Sequence, residues 1–353
     1  MTEPPRPDRA SWSPRRRRTV LLTGATGVVG DAVLPQLSDV VCLVHRRPIE
    51  RAGVESVVGD LGSPHLGFDA ETYADLARRV DVVVHCAAVT DFNRRDGSLE
   101  ATNVGGTERV AAFAEDAGAH LVHLSTAYLH AVSCGERGHT AVRYAASKRA
   151  AEEIVRGADV PHTILRPSIV IGDSVTGYIK AFQGLHLVAA AVLDGLVPVA
   201  PFDPAWPLDF VPSDVLADVV ATVVERRVDG EFWITAGEHA LPLGAAMATA
   251  EALGEELGVV VHPVRFVPPD VFDRLFAPAF LDDVPRPVRF TILKLLEFFT
   301  AYLQHDGPLP SDLDGCGPLL APRPPDSSEV LLTSMRYWAR ATGRMPLLTD
   351  EVA

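Results

Sequence analysis

Short apolar, β-favouring runs punctuate the first half of the chain, and apolar residues recur at helical spacing between them. Thr19–Leu22, Val40–Val44, Val57–Leu61, Asp81–Ala88, Leu121–Leu124 and Thr163–Pro167 read as six strands, the last ended by its proline. Helical patterns cover residues 28–37, 71–79, 99–117 and 143–156. Strands alternating with helices in this way predict an α/β chain with a doubly wound parallel sheet. No internal repeat interrupts the alternation.

Past Pro167 the pattern loosens. Residues 168–205 hold many glycines and apolar side chains, as a pocket wall would. The most apolar stretch, Phe182–Val199, contains Gly184, His186, Asp194 and Gly195 and reads as a buried helix. No run is long enough to span a bilayer. Asp209–Pro212 resembles a return strand, with Ser213 or Asp214 capping a helix over Val215–Arg226, and Glu231–Thr235 adds another strand. Helices are expected over 243–257, 269–276, 287–302 and 329–341, with an extended proline-rich connection over 308–325. Trp206, Trp233 and Trp338 read as packing residues. The expected organisation is a first body over 19–172, rejoined by 207–235. A smaller, mainly helical lobe over 173–206 and 236–353 closes over the sheet's C-terminal edge.

Composition narrows the class. A chain of 353 residues suits one large domain or two closely joined ones. Residues 1–18 are rich in proline and charge and end in Arg15-Arg16-Arg17-Arg18, so they read as a disordered basic tail without a secretory core. A net charge of −14 argues against nonspecific nucleic-acid binding. Cys42, Cys86, Cys134 and Cys316 lack metal-ligand spacing and suit free thiols in a reducing cytoplasm, the compartment expected here.

Candidate chemistry begins at the first strand, which runs into Thr23-Gly24-Ala25-Thr26-Gly27-Val28-Val29-Gly30. Gly24 would allow a tight turn, Gly27 a close approach of backbone to a pyrophosphate, and Gly30 tight packing of helix on sheet. The helix starting near Gly27 aims free N–H groups and its positive dipole end at the phosphates. Set between strand and helix, these glycines indicate a dinucleotide site of Rossmann type. The second strand ends at His45-Arg46-Arg47, with no carboxylate before Glu50. An arginine there accommodates a 2′-phosphate, so NADP(H) is expected rather than NAD, with Arg46 as the anchor. Asp60-Leu61 would flank the adenine, and small Ala87 and Ala88 would let the cofactor lie against backbone.

Tyr144 and Lys148 stand four residues apart, one turn along the same helical face. A phenol is a weak acid/base at neutral pH, and a neighbouring ammonium brings it towards the operating range. Ser125 or Thr126, delivered by the fifth strand, could hold a substrate carbonyl oxygen. His85, His120, His123, His130 and His139 lack ligand spacing, so no metal is expected, and Glu152-Glu153 reads as a solvated face of the catalytic helix.

Together the glycine turn, Asp60-Leu61, Asn103 in Asn-Val-Gly-Gly-Thr, Ser125-Thr126 and Tyr144-x-x-x-Lys148 resemble an extended short-chain dehydrogenase/reductase. That resemblance implies Tyr144 as proton donor, Lys148 as its activator and ribose anchor, and Thr126 as hydroxyl partner. Asn103 would hold a water or the active-site helix. Ser125–Tyr128 and Arg166–Gly177, followed by Phe182-Gln183-Gly184-Leu185, further resemble fatty acyl-CoA reductases and the reductase domains of carboxylic acid reductases and nonribosomal peptide synthetases. In that subfamily Pro167 and Ile169 would also line the cofactor. The implied activity is NADPH-dependent reduction of an acyl thioester, carried on CoA or a carrier protein, to aldehyde or alcohol. The 17 residues between Thr126 and Tyr144 are a short span for an acyl reductase. A homodimer through helices 99–117 and 143–156 is a further expectation of the resemblance. The rival readings are a ketone or alcohol oxidoreductase and a nucleotide-sugar epimerase or dehydratase. A non-enzymatic dinucleotide sensor would have no need of Thr126, Tyr144 and Lys148 together.

Overall fold

The computed structural model describes residues 18–90, 96–131, 139–182, 184–272, 307–313 and 326–345, with a few single positions between 273 and 306. Its centre is β1 (Thr19–Thr23), whose Val20, Leu21 and Leu22 are almost wholly buried. Burial of three such side chains contributes about 5–8 kcal/mol as an upper bound. Parallel to it run β2 (Val40–Val44), β3 (Glu55–Val58), β4 (Val80–His85), β5 (His120–Leu124) and β6 (His162–Pro167). The seventh strand of this sheet, β11 (Gly230–Ile234), pairs with β6. The order β3-β2-β1-β4-β5-β6-β11 reverses direction between β1 and β4, where open α/β sheets form their binding crevice.

Both faces are covered, as an all-parallel sheet requires. On one side α1 (Val28–Val33) and α8 (Ser213–Arg226) pack over Val20, Leu22, Val82 and Val84. On the other, α2 (Ala70–Arg79), α4 (Thr107–Ala117) and α6 (His139–Gly157) flank Leu21, Val41 and Val83. A single turn, α5 (Tyr128–Ala131), follows β5. The helix expected over 28–37 stops at Val33 and tightens into a 3-10 turn over Leu34–Gln36, because Pro35 has no N–H for a further α-helical bond. The helix expected over 99–117 is also divided. A short α3 (Ser98–Glu100) leads into a π-helical turn over Ala101–Gly106, and α4 follows.

A second core joins β7 (Ile169–Ile171), α7 (Gly184–Leu193), α9 (Leu243–Leu257) and α11 (Ser327–Ala341) through residues such as Ile171, Val192, Leu253 and Met335. The expected return strand appears as β10 (Phe210–Pro212) but pairs with β7 in a separate two-stranded sheet. Two further small pairs complete this region: β8 (Val199–Ala200) with β13 (Arg265–Phe266), and β9 (Pro207–Leu208) with β12 (Leu241–Pro242). A single turn, α10 (Pro269–Val271), is what the structure describes of the helix expected over 269–276. Apart from the single position 289, the helix expected over 287–302 lies outside the described residues, as does most of the 308–325 connection. The described part of that connection meets the sheet edge: Trp233 N donates to Asp312 Oδ2 at 2.7 Å, and Asp312 N returns to Trp233 O at 2.9 Å.

Residues 172–182, after β7, form a strap between the two cores. Ser174 N and Oγ donate to the Asp214 carboxylate on α8 at 2.8 and 2.6 Å. Tyr178 Oη donates to Asp31 on α1 at 3.0 Å, and Lys180 Nζ lies 3.1 Å from the same carboxylate. Gly172 N donates to Ser334 Oγ on α11 at 3.2 Å, and any side chain on Gly177 would overlap the Thr333 carbonyl. Of the expected basic tail, Arg18 is the described residue. Its guanidinium is anchored on the Val224 and Glu225 carbonyls at the end of α8, where the helix dipole favours a cation.

Candidate active site

The glycine turn leaves the C-terminal end of β1 and enters α1. Gly24 has φ +73°, and a Cβ there would stand 2.6 Å from Ala87 N, so only glycine lets the turn lie against the end of β4. Gly30 meets the Gly24 carbonyl and Ala25 Cα just as closely, which packs helix onto turn. Gly27 differs: Thr26 and Gly27 are exposed, and beyond the Gly24 carbonyl oxygen at 3.3 Å nothing lies within 4 Å of where its Cβ would be. Gly27 is the N-cap of α1, and no side chain caps the N–H groups behind it. This open glycine beneath uncapped donors fits a dinucleotide phosphate. Ala87 and Ala88 are half-buried beside the turn, and Arg46 is exposed just past β2. Asp60 holds its own turn, accepting from Gly62 N at 2.8 Å and Ser63 Oγ at 3.0 Å, and these bonds keep its carboxyl below the usual range. Leu61 is half-buried, and its carbonyl accepts from Arg109 at 3.1 Å. Pro167 is buried at the end of β6 and Ile169 is buried in the second core.

Thr126 and Tyr144 come together. Thr126 follows β5, Tyr144 rises from α6, and their hydroxyls share a hydrogen bond while Tyr128 N donates to Thr126 Oγ1 at 3.2 Å. Burial pushes the Tyr144 phenol up to about 12, and the Thr126 bond only partly opposes it. The expected activation by Lys148 is therefore not the dominant effect. Lys148 instead turns under the strand ends, donating to Leu124 O at 2.6 Å with His123 Nε2 at 3.4 Å. Burial lowers its ammonium to about 8, the Glu152 charge partly restoring it.

Asn103 sits in the π-helical turn and fastens α6. Its Nδ2 donates to Val89 O at 3.0 Å and Ser147 Oγ at 3.1 Å, while Oδ1 accepts from Val89 N at 2.8 Å. Ser147 Oγ donates in turn to the Tyr144 carbonyl at 2.7 Å. The widened turn is thus occupied by an amide that ties the loop after β4 to the helix bearing Tyr144.

Two expectations are corrected. Ser125 does not hold a place beside Thr126 as a substrate donor: its hydroxyl donates to Glu152 Oε1 at 2.5 Å. Glu152 is not on a solvated face, since it is 2% exposed and ion-paired with Arg166 and Arg156; its neighbour Glu153 does face solvent. Pairing with these arginines and with Ser125 outweighs desolvation and keeps the Glu152 carboxyl below its usual range.

Two buried histidines have a structural role that their spacing in the sequence does not reveal. Thr23, His85 and His123 are register partners on β1, β4 and β5 and form a polar row beneath the crevice. His85 Nδ1 is 2.7 Å from Thr23 Oγ1 and its Nε2 is 3.1 Å from Thr107 Oγ1. Because Thr107 Oγ1 donates to Asn103 O, His85 carries its proton on Nε2 and accepts from Thr23. Burial drives the His85 imidazolium down to about 3 and His123 well below its ordinary value, so both rings are neutral. The signal that could have found them is a polar residue near the C-terminal end of each of three mainly apolar strands.

A family model described as Male sterility protein, an NAD-binding family, matches residues 43–220, about half of the chain. The chain belongs to this family. The Male sterility protein match begins within β2 and contains Asn103, Thr126, Tyr144, Lys148 and Glu152. It is 30% identical over 291 residues to a linear gramicidin synthase polypeptide of Brevibacillus parabrevis, a match covering 69% of this chain and 6% of that protein. The fold resembles the terminal R domain from the myxalamid PKS-NRPS biosynthetic pathway, with a TM-score of 0.71 at 21% identity over 93% of this chain and 92% of that one. It also resembles a thiolation-reductase di-domain from an archaeal non-ribosomal peptide synthetase, with a TM-score of 0.69 at 15% identity over 93% and 76% of the two chains. Among the described residues no helix is long and apolar enough to cross a membrane.

Proposed function

We propose that this chain is an NADPH-dependent reductase of an acyl thioester, delivered on a carrier-protein phosphopantetheine or on CoA. The observation that carries the reading is the buried Thr126–Tyr144 hydroxyl pair, with Thr126 just past the C-terminal end of β5 in the sheet whose β1 runs into the glycine turn, and Lys148 one helical turn along. The backbone N–H groups of Val28 and Val29 would hold the pyrophosphate, Arg46 the 2′-phosphate, and Lys148 the nicotinamide ribose. When bound, the reduced nicotinamide supplies a hydride to the thioester carbonyl carbon.

Thr126 and Tyr144 donate to the carbonyl oxygen as its negative charge develops, each such donor being worth about 3–4 kcal/mol in a water-excluded site. A phenol pushed up to about 12 is fully protonated at neutral pH, which suits a proton donor rather than a base. Tyr144 gives its proton to the oxyanion, and the phenolate left behind stands one turn from the Lys148 ammonium. Two of that ammonium's three donors lie on Leu124 O and His123, leaving a third for the ribose. The hemithioacetal then expels its thiol and leaves an aldehyde, which a second cycle would convert to an alcohol.

Its relatives support a carrier-bound substrate: the gramicidin synthase match and the likeness to a thiolation-reductase di-domain both belong to peptide synthetases. The absence of a carboxylate between Val44 and Glu50 disfavours an NAD-dependent epimerase. The test is NADPH oxidation by purified protein with a panel of acyl-CoA, acyl-pantetheine and acyl-carrier thioesters. Oxidation with release of free thiol supports the proposal. Reduction of ketones with no thioester turned over would overturn it, as would NADH being used as well as NADPH for the cofactor assignment.

A further inference from the structure

Glu152 lies one turn beyond Lys148 on α6, and all its acceptor capacity is engaged. Oε1 accepts from Ser125 Oγ at 2.5 Å and from Arg166 Nε at 2.8 Å. Oε2 accepts from Arg166 Nη2 and Arg156 Nη2, both at 2.7 Å. Arg166 projects from β6, lies 4.9 Å from the Trp233 ring on β11, and shares Glu231 with Arg156. One carboxylate therefore grips three elements: the end of β5 through the residue preceding Thr126, the strand β6, and the helix carrying Tyr144 and Lys148. Buried ions are a costly way to join a helix to a sheet, and apolar packing holds such joints as well or better. What the bidentate arginine adds is a fixed distance and direction.

We propose that Glu152 is a positioning residue for carbonyl reduction, setting Thr126 and Tyr144 in register across the β5–α6 junction through Ser125 and Arg166. The inference rests on the thioester-reductase reading for its substrate. Its charge has a second effect. The groups interacting with Lys148 are His123 and the Leu124 carbonyl from β5, His85 from β4, Cys86 just after it, and Glu152 from α6. The two histidines are neutral, and burial pushes the Cys86 thiol up to about 12. Among these groups Glu152 carries the negative charge that offsets the desolvation of the ammonium.

Two variants separate positioning from mere stability. Glu152→Gln keeps the shape and an acceptor for Ser125 but removes the charge. Adding Arg166→Met removes the buried arginine whose pairing the first change reduces to Glu231, and restores much of the lost melting temperature. For Glu152→Gln, NADPH binding and KM stay within about twofold of wild type while kcat falls about 10- to 100-fold, the range for a small misplacement of reacting groups. The basic limb of the kcat–pH profile moves to lower pH, because Lys148 loses its proton more readily without the neighbouring carboxylate. In the double variant the melting temperature recovers and kcat does not. Wild-type kcat and pH profile in Glu152→Gln would refute the proposal, and so would recovery of kcat alongside stability in the double variant. If wild-type protein reduces ketones and no thioester, the same comparison is made on the ketone, which Thr126 and Tyr144 would serve equally. Failure of the substrate reading and failure of this inference are thus read separately.

Discussion

Replacing Gly27 by alanine separates the cofactor role of the glycine turn from its structural one. Gly27 has φ −82° and ψ 175°, a conformation open to any residue, and its added Cβ would meet the Gly24 carbonyl oxygen at 3.3 Å with no other neighbour within 4 Å. The loss of unfolded-chain entropy favours alanine by about 0.4–1 kcal/mol. Alanine is the poorer N-cap by about 0.5–1 kcal/mol, so the two effects nearly cancel. Melting of the cofactor-free protein should move by less than about 2 °C. On the proposed reading, the same methyl group would stand where a pyrophosphate touches backbone. Forfeiting even one charge-assisted N–H···phosphate bond costs about 1.5–3 kcal/mol, which raises Kd about 10- to 150-fold. A thermal-shift titration reads both quantities together. Wild-type protein with NADPH at 100 times its Kd gains about 2.7 kcal/mol, whereas a variant weakened 50-fold gains about 0.6 kcal/mol at the same concentration. A variant that melts like wild type and is stabilised by NADPH like wild type would refute the assignment of this turn to the pyrophosphate.

Gly30→Ala should damage both folding and binding, losing about 1–3 kcal/mol in urea unfolding, because its Cβ would stand 2.7 Å from Ala25 Cα in backbone that cannot yield cheaply. Tyr144→Phe should lower kcat by about 10²–10⁴-fold with NADPH affinity unchanged, checked by stopped-flow turnover beside fluorescence binding. Arg46→Ala should weaken NADPH by about 10- to 150-fold through loss of one charge-assisted contact and leave NADH binding unaltered. Stability should fall in acid through the charge cluster. Glu231 is pushed down to about 2 by Arg156 and Arg166, and Glu152 is held below its usual range, so their contribution is complete above about pH 4.5 and is lost as pH drops towards 2. Melting curves across that window should show a steeper decline for wild type than for Glu231→Gln.

The dinucleotide half is legible in the sequence because its signals are local. Three glycines in a row of eight residues, apolar runs and a tyrosine four residues before a lysine all act within one or two elements. Pro35 explains why the first helix is shorter than its periodicity, and that clue is itself in the sequence. The π-helical turn at Asn103 is not readable there, since it depends on a bond to Ser147, 44 residues away. Glu152 misleads for a similar reason. Adjacent glutamates on a helix suggest solvent, and only the fold brings Arg166 and Ser125 to one of them. The helix spacing of Tyr144 points to its lysine neighbour, whereas burial decides its proton affinity. The mainly helical lobe is least legible, its short strands pairing residues 33 to 66 positions apart.

The strap over residues 172–182 bears on how the fold can be engineered. It is bonded to Asp31 on α1 and to Asp214 on α8, and it is packed on α11 through glycines that admit no side chain. Chimeras that graft a relative's mainly helical lobe onto this nucleotide-binding half would naturally be cut near Gly172. Such a cut separates Tyr178 and Lys180 from Asp31, or Gly177 from the helix face shaped to receive it. The exchangeable unit is strap plus α11, carried together with a matching residue at position 31. Libraries spliced elsewhere should yield proteins that lose cofactor affinity before substrate preference ever has a chance to change.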